Sequence, residues 1–346
     1  MDPLTHGLTS LALARAGQKG LPRYGTSMLV CSGVAADLDY ISYFAGPASF
    51  LRLHRALLHS LLGSTLVACV VAAAFFALGK VQSEKQEPEN ANSTGRELTA
   101  GVALIVCVIG AASHIVLDLL SGIGVQLYWP FRAGWQGYDV VTDLDPWIFI
   151  LFVIALVLPE LFRLVSEEIG ERKKSFRGRG AAIVALAILV LYIGARAGLH
   201  GKAINLLTSS EYHTRPPLAA AAFPARSTPF AWRGVVSTDT TIEELRVSLF
   251  PGVVFDPDRS FTRYKPEPSP ALTAGQRTEA AKLFLAYATI PFASVNRIED
   301  GYRFELRDLR FSPDDTSLEN IIVRVDFNSS LQIRLEELRY ASSKTP

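Results

Sequence analysis

The sequence is short of charge. Asp, Glu, Lys and Arg make up 19% of its 346 residues, below the roughly one quarter usual in soluble chains. The formal net charge is only +1, and no basic face carries interleaved aromatics, so nucleic acid is not expected as a partner. Cysteine is scarce as well. Cys31, Cys69 and Cys107 lie far apart, each inside an apolar run; they form neither a CxxC metal knuckle nor a disulfide framework, and they read as packing residues. The start lacks the basic n-region of a signal peptide. It opens Met1-Asp2-Pro3 and places a histidine inside its apolar stretch.

What is present is unevenly spread. Apolar residues crowd into 1–200, whereas 201–346 has the composition of an ordinary soluble sequence. The length suits one large or two ordinary domains. We therefore expect an α-helical multi-pass membrane bundle over residues 1–200, followed by an α+β domain over 201–346. Asp2-Pro3 reads as an N-cap with proline at the first helical position of a short helix, about residues 3–16. A second apolar run covers 24–38 and a loop covers 40–56. Longer apolar segments follow at 57–78, 98–121, 147–164 and 181–199, with Asp145-Pro146 capping the third of these. The stretches 79–97 and 165–180 are polar and charged. In the last 146 residues the alternation predicts strands at Ala231–Ser237, Glu244–Phe250, Tyr302–Phe311, Asn320–Phe327 and Leu331–Leu338. A Pro-rich loop and a helix at Thr273–Ala288, opened by Thr273, lie between the second and third.

Positive charge near the ends of apolar segments orients them. Alternating the six segments puts Arg15, Lys19, Arg23, Lys80, Lys85, Arg96, Arg163, Arg172, Lys173, Lys174, Arg177 and Arg179 on one side, and Arg52, Arg55 and Arg132 on the other. The first set is expected in the cytoplasm, which places the C-terminal domain outside it. The same alternation brings His6, the pair Asp37 and Asp39, the pair His54 and His59, and the pair His114 and Asp118 to the outer face. Four of the chain's six histidines then share one face, with Asp139, Asp143 and Asp145 in an outer loop.

Ionisable groups at such a depth are costly unless they have a function. His114 and Asp118, at i and i+4, lie on one face of a helix and can hold one cation together. Asp37 and Asp39, two apart in a turn or extended backbone at a helix end, can serve one or two metals. His54 and His59 are five apart, too far round a helix to share a face, so His54 is expected in the loop and His59 in the first turn of the span. Imidazole and carboxylate without thiolate suit zinc, manganese or iron. Arg55, between the histidines, suits a phosphate oxygen or a carboxylate. Each residue alone has a plainer reading: His59 as an interfacial histidine, His114 and Asp118 as a hydrogen-bonded pair, Asp37 and Asp39 as a helix-end turn, Asp145 as an N-cap. Their shared face is what favours a metal site. Ser60 and Ser121 read as caps, since no Ser-His-Asp spacing accompanies them.

These motifs carry a resemblance. Met1-Asp2-Pro3-Leu4-Thr5-His6-Gly7, Asp37-Leu38-Asp39, His54-Arg55-x-x-x-His59-Ser60, His114-x-x-x-Asp118 and Gln126-Leu127-Tyr128-Trp129-Pro130-Phe131 occur in the order found in the YdjM-like family of bacterial membrane-bound metal-dependent hydrolases. The similarity covers about residues 1–200. Ala36 stands where the family usually has proline, and Ala56 and Leu58 where it has glycine and threonine; none is a ligand position. Trp232-Arg233-Gly234 and Asp308-Leu309-Arg310-Phe311 look like the extra domain of longer members. The family is distantly similar to zinc-dependent phospholipase C and the single-strand-specific zinc nucleases. That implies a helical site with one to three zinc ions and phosphodiester hydrolysis in the bacterial inner membrane.

The expectation is thus a membrane hydrolase whose divalent metal is held by His54, His59, His114 and Asp118, completed by Asp37, Asp39 and His6. Asp37 or Asp39 takes the proton of the attacking water, and Arg55 neutralises a phosphoester substrate such as a lipid head group. The alternative is a structural metal pinning short helices together, with the C-terminal domain as an interaction module. Transport is disfavoured by the lack of paired broken helices in matching halves.

Overall fold

A computed structural model describes residues 1–84, 97–132, 134–168, 178–312, 315 and 317–341. Most of the polar stretches 79–97 and 165–180 lies outside the described residues, and with it Lys85, Arg96, Arg172, Lys173, Lys174 and Arg177 of the charge count.

The chain opens with α1 (Pro3–Gly17), whose N-cap Asp2 accepts a hydrogen bond from the Thr5 amide at 3.0 Å. Helix α2 (Gly25–Val34) runs directly into a 3-10 helix, Ala35–Ala45. Then come α3 (Pro47–Leu53), α4 (Leu61–Glu84), α5 (Ala100–Leu120), α6 (Pro146–Glu168) and α7 (Arg179–Ser209). Among the described residues, four helices are long and apolar enough to cross a membrane: Leu61–Gln82, Ala100–Leu120, Pro146–Val165 and Arg179–Ser209, with mean hydropathies of 2.4, 2.4, 2.5 and 2.2. Helices α1 and α2, of 15 and 10 residues, fall short of the roughly 20 that a span needs.

Packing divides the chain into two compact units. One comprises Met1–Leu38, Leu57–Arg132 and Gln136–Ala197; the other comprises Asp39–Ala56, Ala133–Trp135 and Gly198–Pro346. In the first, small residues let helices approach almost backbone to backbone. A Cβ on Gly110 of α5 would collide with Ser32 Oγ and the Leu29 carbonyl of α2, and one on Gly33 would collide with Ser10 Oγ of α1. This close approach brings His114, one turn beyond Gly110, against the end of α2.

The second unit holds two four-stranded antiparallel sheets, each in simple sequential order. The first contains β1 (Ala219–Pro224), β2 (Ala231–Ser237), β3 (Thr241–Ser248) and β4 (Phe261–Tyr264). The second contains β5 (Pro291–Ile298), β6 (Gly301–Asp308), β7 (Ile321–Asn328) and β8 (Ile333–Tyr340). Ala203 and Leu207 of α7 pack with Trp232, Val236 and Val247 in the core against the first sheet.

Several expectations are corrected. The supposed loop 40–56 is helical: it holds the second half of the 3-10 helix, a break at Gly46 with φ 91°, and α3 started by Pro47. Asp37 and Asp39, expected in a turn or extended backbone at a helix end, sit within the 3-10 helix that follows α2. His59 precedes α4, which begins at Leu61, instead of occupying its first turn. The single helix expected over Thr273–Ala288 is two, α8 (Pro270–Gln276) and α9 (Glu279–Tyr287). Thr278 divides them, because its side chain accepts from the Ala281 amide at 3.3 Å and starts a new helix. Three strands fall outside the expected ones: β1, which is alanine-rich; β4, only four residues long and set between the prolines of the Pro-rich stretch; and β5.

Candidate metal centre

Five of the seven expected ligands meet in the first unit. His6 comes from α1, Asp37 from the 3-10 helix, His59 from the turn before α4, and His114 and Asp118 from α5. All five are at most 8% exposed. The rings of His6 and His114 stack at 3.7 Å. Nε2 of His114 lies 3.0 Å from Nε2 of His59. Asp118 Oδ2 is 3.1 Å from the first of these nitrogens and 3.2 Å from the second. Its Oδ1 is 3.3 Å from His6 Nε2 and also meets the Met1 amino group. Asp37 Oδ1 stands 3.8 Å from Nε2 of both His59 and His114.

The protonation of His114 follows from its second nitrogen. Nδ1 is 2.8 Å from the Gly33 carbonyl, which can only accept, so Nδ1 carries the proton and Nε2 presents its lone pair to the cluster. That lone pair points at a second imidazole nitrogen and two carboxylates. Such an arrangement is repulsive in a low-dielectric interior unless positive charge offsets it; the Met1 amino group on Asp118 Oδ1 supplies one such charge, and none meets Asp37 Oδ2 among the described residues. Asp37 Oδ2 is buried with no hydrogen-bond partner among the described residues, a cost of about 1–3 kcal/mol or more for a charged group. Among the described residues, two donor sets converge closely enough for a metal ion: His6, His114 and Asp118, and Asp37, His59 and His114, the atoms of each lying within 4.8 Å of one another. Nitrogen and carboxylate donors with one imidazole oriented by a backbone carbonyl fit a divalent metal.

The other two expected ligands, Asp39 and His54, form a separate group in the second unit. His54 Nδ1 is 2.9 Å from Asp39 Oδ1, and its Nε2 is 3.3 Å from Glu319 Oε1. Tyr40 donates its hydroxyl to the same Glu319 oxygen at 3.2 Å. Burial opposes protonation of His54, but the Asp39 and Glu319 carboxylates outweigh it and raise its pKa. Each ring nitrogen thus faces its own carboxylate, a closed ion-pair arrangement. Arg55 is 1% exposed with a left-handed backbone, φ 56°, and its amide donates to Asp39 Oδ2 at 2.8 Å. Asp39 thereby holds the turn that leaves α3.

Asp145 is the N-cap of α6. It accepts from the amides of Trp147 and Ile148 at 3.0 and 3.3 Å and from the Tyr192 hydroxyl at 3.1 Å. Asp143 lies 3.6 Å from the Met1 amino group. Glu319 carries no sequence signal. It lies in Ser317-Leu318-Glu319-Asn320, which matches no motif, and only the fold pairs it with a histidine some 265 residues earlier.

Among known proteins, the family described as YdjM inner membrane protein matches residues 1–203. No curated protein and no solved structure matches the chain. The matched residues include all seven expected ligands and exclude Glu319 and both sheets.

Proposed function

We propose that this chain, which belongs to the YdjM inner membrane protein family, is a metal-dependent hydrolase of the membrane acting on a phosphoester at a lipid head group. One observation carries this reading: the Nε2 atoms of His59 and His114 and the carboxylates of Asp118 and Asp37 converge within 3.0–3.8 Å in a buried cluster beside a membrane-crossing helix. His6, Asp37, His59, His114 and Asp118 would hold one or two divalent ions, with zinc best matched to the donors. A metal bound there supplies Lewis acidity, lowering the pKa of a water and offsetting phosphate charge.

The residues divide the remaining work. The Gly33 carbonyl keeps the proton of His114 on Nδ1. Asp37, whose Oδ2 makes no hydrogen bond among the described residues, accepts the proton of the attacking water. Asp39 is not assigned that proton, because both of its oxygens are engaged, by His54 and by the Arg55 amide. Asp39, His54 and Arg55 shape the turn instead. The outer face is the proposed side of the site and of the C-terminal region, supported by the excess of Lys and Arg in the alternate loops.

The low exposure of every cluster member favours a second reading, a structural metal that ties the short α1 and α2 to α5. Elemental analysis of the detergent-purified chain, followed by assay of the zinc-loaded protein against a phospholipid panel and bis(p-nitrophenyl) phosphate, separates the two. Metal-dependent product release supports the hydrolase. Stoichiometric metal without release from any substrate leaves the structural reading, and a metal-free protein that takes up none removes both.

A further inference from the structure

The 3-10 helix Ala35–Ala45 is 11 residues long, where runs beyond three or four are uncommon. In this geometry residues i and i+3 eclipse, so the side chains fall into three straight rows. Asp39 and Ser42 form one buried row, with Ser42 donating to the Asp39 carbonyl at 2.6 Å. Tyr40 and Tyr43 form a second, packed on Phe50 at ring distances of 6.2 and 6.5 Å. The third row is Leu38, Ile41 and Phe44, exposed by 69, 74 and 86%. The most apolar row is therefore the one the protein leaves uncovered.

We infer that this row is a membrane-contact ridge: Leu38, Ile41 and Phe44 lie in the apolar boundary of a lipid leaflet. Three observations select lipid over a protein partner. From Tyr24 to Leu51 there is no lysine, arginine, glutamate or histidine, and the two aspartates are buried. A protein-binding ridge would be expected to carry a polar, hydrogen-bonding rim, and this stretch offers no exposed charge to build one. The segment is also tethered to a membrane-crossing helix, since only His54–Ser60 separates α3 from α4. Finally, the polar rows are already docked on protein, so the segment presents one apolar edge and a held polar back, the division required of an element lying in the interface. The inference does not depend on the proposed hydrolysis and holds equally for a structural metal.

The test uses the full chain with Cys31, Cys69 and Cys107 replaced by alanine, reconstituted in vesicles of phosphatidylethanolamine and phosphatidylglycerol. Single cysteines are introduced as Ile41→Cys, Phe44→Cys and, in the C-terminal region, Tyr264→Cys, which replaces a side chain 74% exposed. Each carries a nitroxide label. Ile41 and Phe44 project outward, so labelling leaves the packing intact. Collision with oxygen, which concentrates in lipid, is compared with collision with a water-soluble nickel chelate. The oxygen-to-nickel ratio is expected to be at least threefold higher at 41 and 44 than at 264. Equal ratios at the three positions place the ridge in water and overturn the inference. Exclusion of both reagents at 41 and 44 means that protein covers the ridge, and overturns it as well.

Discussion

The two compact units differ in how far their buried charges are paired, for in the first, among the described residues, the Met1 amino group on Asp118 is the one ammonium among five converging imidazoles and carboxylates. In the first unit, imidazole nitrogens and carboxylate oxygens of His6, Asp37, His59, His114 and Asp118 point toward one another, and Asp37 Oδ2 has no hydrogen-bond partner among the described residues. In the second unit, three buried carboxylate groups, Asp308, Asp326 and the Asp39–Glu319 pair, are closed by opposite charge. Asp308 accepts from the amides of Thr289, Ile290 and Arg310 and from Arg310 Nε. Asp326 is clasped by Arg303 and Arg324, and His54 lies between Asp39 and Glu319. Aspartate and histidine occur in both, but the second unit adds arginine partners that close its carboxylates. A closed pair satisfies itself and serves the fold, whereas converging donors could hold a metal ion.

The strongest way to break this contrast is metal content. His114→Ala removes the imidazole shared by both donor sets and is expected to lower zinc affinity at least tenfold, while His54→Ala leaves it within about threefold; mass spectrometry of dialysed protein reads both. Equal losses would abolish the distinction between the clusters. Next in size is Glu319→Ala, which leaves His54 buried with one of its two carboxylates. Removing one partner of a buried pair costs on the order of 3 kcal/mol, and unfolding followed by Trp fluorescence should show it, with Glu319→Asp recovering part of the loss.

The smallest effect concerns Asp326, whose pKa the hydrogen bonds from Arg303 and Arg324 hold down at about 2. A carboxyl depressed in the folded state adds stability above its ordinary pKa, near 4, and loses that contribution as the pH falls from about 4 to 2. The C-terminal sheets are therefore expected to weaken over that window. Asp326→Asn should flatten that part of a pH–stability curve; a variant curve with the same slope as the parent would count against the clasp.

Much of the helical half was legible in the chain. Long apolar runs specify helices long and apolar enough to cross a membrane, because length and hydropathy alone set that property. The Asp2-Pro3 and Asp145-Pro146 caps are local hydrogen-bond patterns, and both occur as expected. The 3-10 helix was hidden because its period of three resembles neither a helix nor a strand pattern. The break at Thr278 was hidden because a capping residue inside a periodic stretch reads as one more helical position. The division of Asp37 from Asp39 was not legible, since two residues apart in the sequence says nothing about which way each carboxylate faces in a turn of three.

By itself the sequence determined the four apolar helices, the caps and the roster of histidines and aspartates, because these depend on residue type and short-range spacing. Tertiary structure alone decided which of them meet. The glycine contacts of α2 with α5 set His114 against Gly33, and the β-rich region supplies Glu319 to His54. Such encounters depend on packing between distant segments, and no local pattern encodes them.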